Sequence, residues 1–192
     1  GESGCGKSVT ALSILGLLPE KNAWIDSGQI IFKDQPLNAK SNAEMRKIRG
    51  NRIAYVAQSA AASFNPAHQL IDQTVEATVR HSIKPEAEAK ADARKLYREL
   101  QLPNPDLIGE RYPHQVSGGQ LQRAMTAMAM SCRPDLIIFD EPTTALDVTT
   151  QIEVLAAIKK ITREFNTAAL YITHDLAVVA QIADRIMVLR YG

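Results

Sequence analysis

Short apolar runs alternate with longer segments of helical periodicity along most of this chain. The apolar runs are bounded by turn residues and predict strands, whereas the longer segments predict helices. The predicted strands are residues 29–32, 52–57, 136–139, 168–173 and 185–190. The predicted helices are residues 7–18, 44–49, 121–131 and 149–164 and the segment after Asp175. This alternation predicts an α/β fold with a parallel sheet at its core.

Residues 71–100 interrupt that alternation. They have the pattern of long amphipathic helices rich in Ala, Glu, Lys and Arg, with Pro85 separating two of them. We interpret this stretch as a helical insertion within a single domain. The expected division is a catalytic α/β core of residues 1–69 and 132–192 and a helical subdomain of residues 70–131. We expect the domain to be incomplete at both termini, because the chain begins directly with a motif that should follow a buried strand and ends directly behind a predicted strand.

Composition narrows the classes of function. The 192 residues have a net charge of +1, with Lys and Arg spread along the chain, so we expect no nucleic-acid partner. No apolar run approaches the ~20 residues that cross a bilayer, which indicates a soluble or peripheral protein. The two cysteines, Cys5 and Cys132, lack the spacing of metal ligands.

The first eight residues, G-E-S-G-C-G-K-S, match the phosphate-binding pattern G-x-x-x-x-G-K-S. Gly4 and Gly6 allow backbone N–H groups to converge on an anion at the start of the following helix. Lys7 can reach the β- and γ-phosphates, and the Ser8 hydroxyl is placed to ligate a bridging Mg²⁺. The loop therefore predicts a site for the phosphates of ATP or GTP.

An acidic pair directly follows the apolar run at residues 136–139. Asp140 can hold the magnesium shell, and Glu141, one residue further, can orient and deprotonate a water molecule. Taken alone, an acidic pair after a strand is more often a solvated helix start. A phosphate loop in the same chain favours the catalytic interpretation.

A second potential anion site, with the sequence S-G-G-Q, opens the predicted helix near residue 121. It combines a hydroxyl, paired glycines and a helix amino end. One nucleotide does not need two such loops. The segment is therefore either a plain helix cap or a site for a nucleotide held by another subunit, and the second option requires a dimer.

These motifs together resemble the nucleotide-binding domain of an ATP-binding-cassette (ABC) transporter, a P-loop NTPase with a RecA-like core and an inserted helical subdomain. They occur in family order: the Walker A loop at residues 1–8, Gln58 at the end of a strand, the signature at residues 116–120, the Walker B pair Asp140 and Glu141, the D-loop at residues 145–147 and the switch histidine His174. The resemblance covers essentially the whole chain.

The resemblance implies that ATP and Mg²⁺ lie between two such domains facing head to tail. The implied nucleotide-binding residues are Gly1, Glu2, Ser3, Gly4, Cys5, Gly6, Lys7, Ser8, Val9, Ser117, Gly118, Gly119, Gln120 and Asp147. The implied magnesium ligands are Ser8, Gln58 and Asp140, and the implied catalytic residues are Glu141, His174, Gln58 and Lys7.

A narrower resemblance is to the ATPases of bacterial peptide, nickel and opine importers. It is based on residues 15–19, 45–50, 63–66, 112–115 and 143–151. It implies import of a di- or oligopeptide or a related solute, driven by ATP hydrolysis at the cytoplasmic face of the cell membrane. The implied partners are a second ABC ATPase domain, identical or different, integral membrane permease subunits and, indirectly, a solute-binding protein.

Three alternatives remain beside the importer. A soluble cassette ATPase that acts on DNA or ribosomes would be favoured by a coiled-coil insertion, tandem cassettes or strongly basic segments, which this sequence lacks. Residues 65–66 and 112–115 disfavour an exporter cassette. Intact Lys7, Glu141 and His174 disfavour an inactive regulatory cassette.

Overall fold

The computed structural model describes residues 4–19, 21–144 and 146–190. Its helices in these ranges are α1 (Lys7–Ile14), α2 (Asn42–Ile48), α3 (Ala60–Ser63), α4 (Leu70–Arg80), α5 (Glu86–Glu99), α6 (Gly118–Met130), α7 (Val148–Glu164) and α8 (Leu176–Ile182). Its strands are β1 (Ile31–Phe32), β2 (Gln35–Pro36), β3 (Ile53–Val56), β4 (Leu136–Asp140) and β5 (Ala168–Ile172). Two short 3-10 helices span Ile108–Glu110 and Pro113–Gln115.

The strands β3, β4 and β5 form a three-stranded parallel sheet in that order. Leu136 of β4 pairs with Ile53 on one side and with Ala168 on the other. Parallel neighbours require crossover connections, and α7 provides the one between β4 and β5. The almost continuous apolar sequence of β4 is typical of a central strand covered on both faces.

Side-chain alternation divides the two faces of the sheet between two hydrophobic clusters. Ile138 of β4 belongs to a cluster that includes Ala11 of α1. Its neighbours Ile137 and Phe139 belong to the larger cluster formed with α4, α5, α6 and α7. Because alternate residues of a strand share a face, Asp140 lies on the side of Ile138, which is the side that α1 covers.

The helical segment begins at Leu70, and its two long helices are separated at Pro85, the residue before α5, as the sequence predicts. Tyr97 of α5 is fully buried, and its hydroxyl lies 2.6 Å from the Thr74 hydroxyl of α4. The buried side chains of this segment form one cluster with those of β4 and α7. The division into an α/β core and a helical subdomain stays a prediction.

Three local features differ from the predictions. The predicted strand at residues 185–190 is not formed: these residues are irregular, and Ile186, Met187 and Val188 are exposed. An apolar run becomes a strand only where a neighbouring edge offers hydrogen bonds, and no described residue pairs with this run. The small and polar residues 59–70, broken by Asn65 and Pro66, predict a loop, but they contain the short helix α3. The sequence K-D-Q-P at residues 33–36 predicts a turn after the first strand, and these residues complete a β-hairpin whose second strand is β2.

The first helix is also shorter than the predicted 7–18, since α1 ends at Ile14. Gly16 adopts a φ of +59°, which glycine tolerates and which ends the helix. Arg49, directly after α2, donates to the carbonyl oxygens of Leu15 at 2.6 Å and Gly16 at 2.7 Å. The carboxyl end of α1 is therefore fixed to α2. None of the described helices is both long enough and apolar enough to cross a membrane.

Candidate functional site

The described part of the glycine loop turns directly into α1. Gly4 and Gly6 have φ values of +83° and +90°, a region that glycine adopts without strain. No side chain caps the amino end of α1, so its first N–H groups remain for an anion. The predicted nucleotide-binding residues Gly1, Glu2 and Ser3 lie outside the described residues.

Asp140, at the carboxyl end of β4, is 5% exposed, and a hydroxyl donates to each of its carboxylate oxygens. Ser8, in the first turn of α1, donates to Oδ1 at 3.1 Å. Tyr55 of β3 donates to Oδ2 at 2.8 Å. Burial, together with the bond to Asp140, raises the pKa of the Tyr55 phenol, so this hydroxyl stays protonated and donates at neutral pH.

Glu141 is the centre of a second group. His174 Nδ1 lies 3.1 Å from Oε1 of Glu141, and Oε2 accepts from Thr144 at 3.2 Å and from Gln58 Nε2 at 3.4 Å. Burial acts to raise the pKa of Glu141, but the hydrogen bonds from His174 and Thr144 and the charge of Lys7 outweigh it and hold that pKa below its ordinary value of 4.5. Glu141 is therefore ionised at neutral pH, as a general base requires.

The backbone of Glu141 has a φ of +48°, a left-handed conformation that is uncommon for residues other than glycine. Its N–H donates to the carbonyl of Ile172 in β5 at 2.9 Å, which holds the turn in place. Left-handed backbone costs about 1–2 kcal/mol for an L-residue. Strain of this kind is concentrated at functional sites.

Lys7, Cys5 and Val9 complete the described part of the loop. Lys7 Nζ lies 3.6 Å from the buried Cys5 sulfur. Ser8, the next residue, bonds Asp140, so the start of α1 lies beside the acidic pair, and the charge of Lys7 contributes to the low pKa of Glu141. Val9 is 56% exposed, and its predicted contact with the nucleotide stays a prediction.

The magnesium prediction is consistent with the atoms present. The described residues contain no group of three or more His, Cys, Asp and Glu side chains that could hold a metal by themselves. Mg²⁺ instead favours one or two protein oxygens completed by water and substrate phosphates. Ser8 and Asp140 offer such oxygens side by side. Gln58 uses its nitrogen on Glu141, which leaves its carbonyl oxygen as the atom that could bind a metal.

The S-G-G-Q segment forms the amino end of α6. Ser117 is the N-cap of α6: it accepts from the Gln120 N–H at 3.3 Å, and its own N–H donates to the Gln120 side chain at 3.2 Å. The structure therefore shows the helix cap, which is one of the two interpretations of this segment. Among the described residues, no hydrogen bond or ion pair joins Ser117 or Gln120 to the Glu141 group, and Ser117 and Gly118 are exposed.

The start of α6 packs against the start of α7 through Gly119. A Cβ atom at Gly119 would lie 2.3 Å from Cγ2 of Thr150. The Thr150 hydroxyl donates to Asp147 at 2.8 Å and its N–H donates to the same carboxylate at 3.0 Å, so Asp147 caps α7. A side chain at Gly119 would therefore displace Thr150 and disturb the cap that Asp147 provides.

We expect Gly119→Ala to lower the free energy of unfolding by about 1–3 kcal/mol, because the added methyl group overlaps Thr150. Chemical denaturation measures this change. Gly118→Ala is the matched control, because its Cβ would lie 3.9 Å from the nearest side-chain atom, in Leu146. Thr150→Ser in the Gly119→Ala protein removes the overlapping methyl and should restore stability. Equal stability of the two single alanine variants would contradict the packing role of Gly119.

Two side chains of the site, Tyr55 and Thr144, are absent from the sequence-based predictions. Tyr55 has a detectable signal, because it is the one hydroxyl in the otherwise apolar strand β3. Thr144 follows Glu141 by three residues and reaches it only because the left-handed turn at Glu141 folds the chain back. The sequence pattern does not reveal such a turn.

Comparisons with known proteins agree with this geometry. The family model described as ABC transporter matches residues 1–144. The chain is 47% identical over 192 residues to a probable peptide ABC transporter ATP-binding protein, y4tR, of Sinorhizobium fredii. It is 45% identical over 192 residues to the dipeptide transport ATP-binding protein DppD of Bacillus subtilis. Both alignments cover 100% of this chain and 57% of the relative, so the chain spans about 57% of the length of these proteins.

A third relative is the glutathione import ATP-binding protein GsiA of Salmonella typhimurium, which is 42% identical over 197 residues, covering 100% of this chain and 32% of GsiA. Among solved structures, the dimeric structure of MJ0796, a bacterial ABC transporter cassette, has a TM-score of 0.84 and 27% identity over 100% of this chain and 79% of that chain. The cassette MJ0796 bound to ADP and Pi in a post-hydrolysis state has a TM-score of 0.81 and 26% identity, with the same coverage.

These similarities confirm the predicted α/β fold of the ABC ATPase type, with its parallel sheet. They also confirm the predicted resemblance to the ATP-binding proteins of peptide importers. The family match spans the glycine loop, Gln58, the S-G-G-Q segment and the pair Asp140 and Glu141. The chain therefore belongs to the ABC transporter family.

Proposed function

We propose that this chain binds and hydrolyses ATP to drive import of a peptide or a related solute through an ABC transporter. The relatives named for peptide, dipeptide and glutathione import support the solute class. The main structural support is the Glu141 carboxylate, which accepts from Gln58, Thr144 and His174 close to the Ser8–Asp140 pair.

The binding half of the reaction belongs to the glycine loop. The N–H groups at the start of α1 and the Lys7 ammonium bind the phosphates of ATP. Ser8, Asp140 and the Gln58 carbonyl oxygen are the groups that would hold Mg²⁺. When bound, this ion neutralises charge on the transferring phosphoryl group. Cys5, Gly4 and Gly6 shape the loop around these contacts.

The chemical half belongs to Glu141. Its ionised carboxylate accepts a proton from the attacking water and aligns that water with the terminal phosphate. His174, in the segment after β5, and Gln58, in the segment after β3, hold the two carboxylate oxygens, so the base is fixed before substrate arrives. Preorganisation of this kind avoids a reorganisation cost during the reaction.

We propose that the signature segment acts on the nucleotide of a second ABC ATPase domain. Exposed Ser117 and Gly118, with Gly119, Gln120 and Asp147, would complete the phosphate site of the other subunit, which is either a second copy or a sister cassette. The exposure of Ser117 and Gly118 supports the proposal. The solved structure of the similar cassette MJ0796 is dimeric.

The remaining partners follow from the importer assignment. Integral membrane permease subunits would hold the two cassettes at the cytoplasmic face of the cell membrane, and a solute-binding protein would act indirectly by delivering the solute. Within this assembly, residues 70–131 would form the helical subdomain and residues 1–69 and 132–192 the catalytic core. No nucleic acid is required.

Affinity purification from membranes tests the transporter assignment. We expect the protein to hydrolyse ATP in the presence of Mg²⁺ and to co-purify with an integral membrane protein, and we expect its loss to abolish uptake of labelled di- or oligopeptides. Recovery with ribosomes or DNA instead of a membrane protein, combined with normal peptide uptake by the deletion strain, would contradict the importer assignment.

A further inference from the structure

Tyr55 and Asp140 share one face of the parallel sheet. The register pairs Tyr55 of β3 with Ile138 of β4, and directly paired residues lie on the same face. Asp140 follows Ile138 by two positions and so lies on that face as well. α1 covers this face through Ala11 and brings Ser8 to the same carboxylate. Asp140 is therefore the next residue of β4 on the same face as Ile138, the residue that Tyr55 pairs with, and the Tyr55 side chain can reach it.

Packing fixes the direction of this tyrosine. Its ring packs against the cluster that includes Ile53, Ile138 and Ala11. Its hydroxyl donates to Oδ2 of Asp140 at 2.8 Å. A ring held in an apolar cluster loses little further freedom when its hydroxyl bonds, so this donor is preorganised.

The carboxylate has one fixed donor on each oxygen. Ser8 occupies Oδ1 and Tyr55 occupies Oδ2, and Asp140 is 5% exposed. The two bonds together define the plane of the carboxylate and direct Oδ1 toward α1. Without the Tyr55 hydroxyl, the carboxylate could rotate about its terminal torsion, which is a soft coordinate.

We infer that Tyr55 is a positioning residue for the proposed magnesium site, because its hydroxyl holds Oδ2 of Asp140 and thereby aims Oδ1 at Ser8. This inference rests on the proposed function. Partners that orient a metal-binding side chain typically change metal affinity by about 10–100-fold when removed. Tyr55 would therefore set the Mg²⁺ concentration at which the protein binds ATP tightly, without contact with the nucleotide.

The test compares ATP binding by the purified wild-type protein and Tyr55→Phe in EDTA and across a Mg²⁺ titration, with a fluorescent ATP analogue as the probe. Phenylalanine keeps the ring that packs beside Ile138 and removes only the donor. We expect the Mg²⁺ concentration for half-maximal binding to rise about 10-fold in Tyr55→Phe. Binding in EDTA should remain within about 2-fold of wild type, because the nucleotide contacts are unchanged.

Tyr171→Phe is the matched control. Tyr171 lies in the neighbouring strand β5 and pairs with Phe139, so its hydroxyl is on the face of the sheet opposite Asp140. Loss of that hydroxyl should leave the Mg²⁺ titration unchanged. A second comparison uses Asp140→Asn with and without Tyr55→Phe. Asp140→Asn removes the buried carboxylate charge, so Tyr55→Phe in this background no longer leaves a charged oxygen without its hydrogen-bond donor. The comparison is therefore informative even where Tyr55→Phe alone folds poorly.

The outcomes separate this inference from the proposed function. A wild-type protein whose ATP binding ignores Mg²⁺ would overturn both. A normal Mg²⁺ dependence in wild type together with an unchanged titration in Tyr55→Phe would overturn only the role of Tyr55. An equal loss of binding in EDTA and in Mg²⁺, or a shift of the same size in the Asp140→Asn background, would assign Tyr55 a purely structural role and would also overturn the inference.

Discussion

Glu141→Gln is expected to lower the ATP turnover number about 10²–10⁴-fold, because the amide cannot accept the proton of the attacking water. Gln has nearly the same shape, and the phosphate contacts lie in the glycine loop, so the affinity for ATP should stay within a few-fold. The environment of Glu141 favours this result, since its hydrogen bonds from His174 and Thr144 lower its pKa and keep it ionised at neutral pH. Steady-state phosphate release and equilibrium nucleotide binding measure the two quantities separately.

Glu86→Gln is a suitable control for this experiment. Glu86 lies at the start of α5, its side chain is 63% exposed, and it pairs with Lys90 away from the site. Exposed ion pairs contribute little to stability, so its turnover should equal that of wild type. A Glu141→Gln protein that retains more than about a tenth of wild-type turnover would exclude Glu141 as the base.

Ser117→Arg is expected to lower turnover about 100-fold or more while ATP still binds to the glycine loop. Exposed Ser117 caps α6 at the corner that we assign to the nucleotide of the second subunit. A long charged side chain there would prevent the two domains from closing on the nucleotide. Loss of one preorganised contact with developing charge typically costs 10²–10³-fold in turnover. In the Glu141→Gln background, sedimentation should show an ATP-dependent dimer that Ser117→Arg abolishes.

Ser117→Ala separates dimer closure from helix capping. Both substitutions remove the Ser117 hydroxyl that accepts from the Gln120 N–H and caps α6, at a cost of about 1 kcal/mol in stability. Only the Arg substitution adds a large side chain. Ser117→Ala should therefore form the ATP-dependent dimer and lose less activity. Full turnover by Ser117→Arg, or equal defects in the two variants, would contradict a role for this corner at a second subunit.

The sequence predicts the order of the elements well where the pattern is long or flanked by clear turn residues. The helices on either side of Pro85 and the central strand after Pro134 form where the periodicity places them. It predicts the ends of elements less well, because these depend on distant contacts. Arg49 binds the carbonyls at the end of α1, and no local signal near residue 15 shows that contact. The run at residues 185–190 lacks a neighbouring strand among the described residues, which periodicity cannot show.

The candidate site shows the same contrast between what the local sequence predicts and what distant contacts determine. The motifs predict Ser8, Asp140, Glu141 and His174 as site residues. The structure brings Ser8 to Asp140 and His174 to Glu141 in hydrogen-bond contact. Motifs do not show how a carboxylate is oriented. The Tyr55 bond depends on the register between β3 and β4, which is a property of the sheet and not of either strand. For the same reason the clash at Gly119 appears only when α6 and α7 are packed together.

The two-sided packing of β4 has a consequence for how such cassettes can diverge. Ile137 and Phe139 face the helices, while Ile138 and Asp140 face the phosphate loop. Substitutions that keep the helical side apolar and of similar volume therefore leave the carboxylate in its place. Deletion of one residue from this strand has the opposite effect. It exchanges the two faces of the strand and moves the Asp140 carboxylate into the hydrophobic cluster formed with the helices.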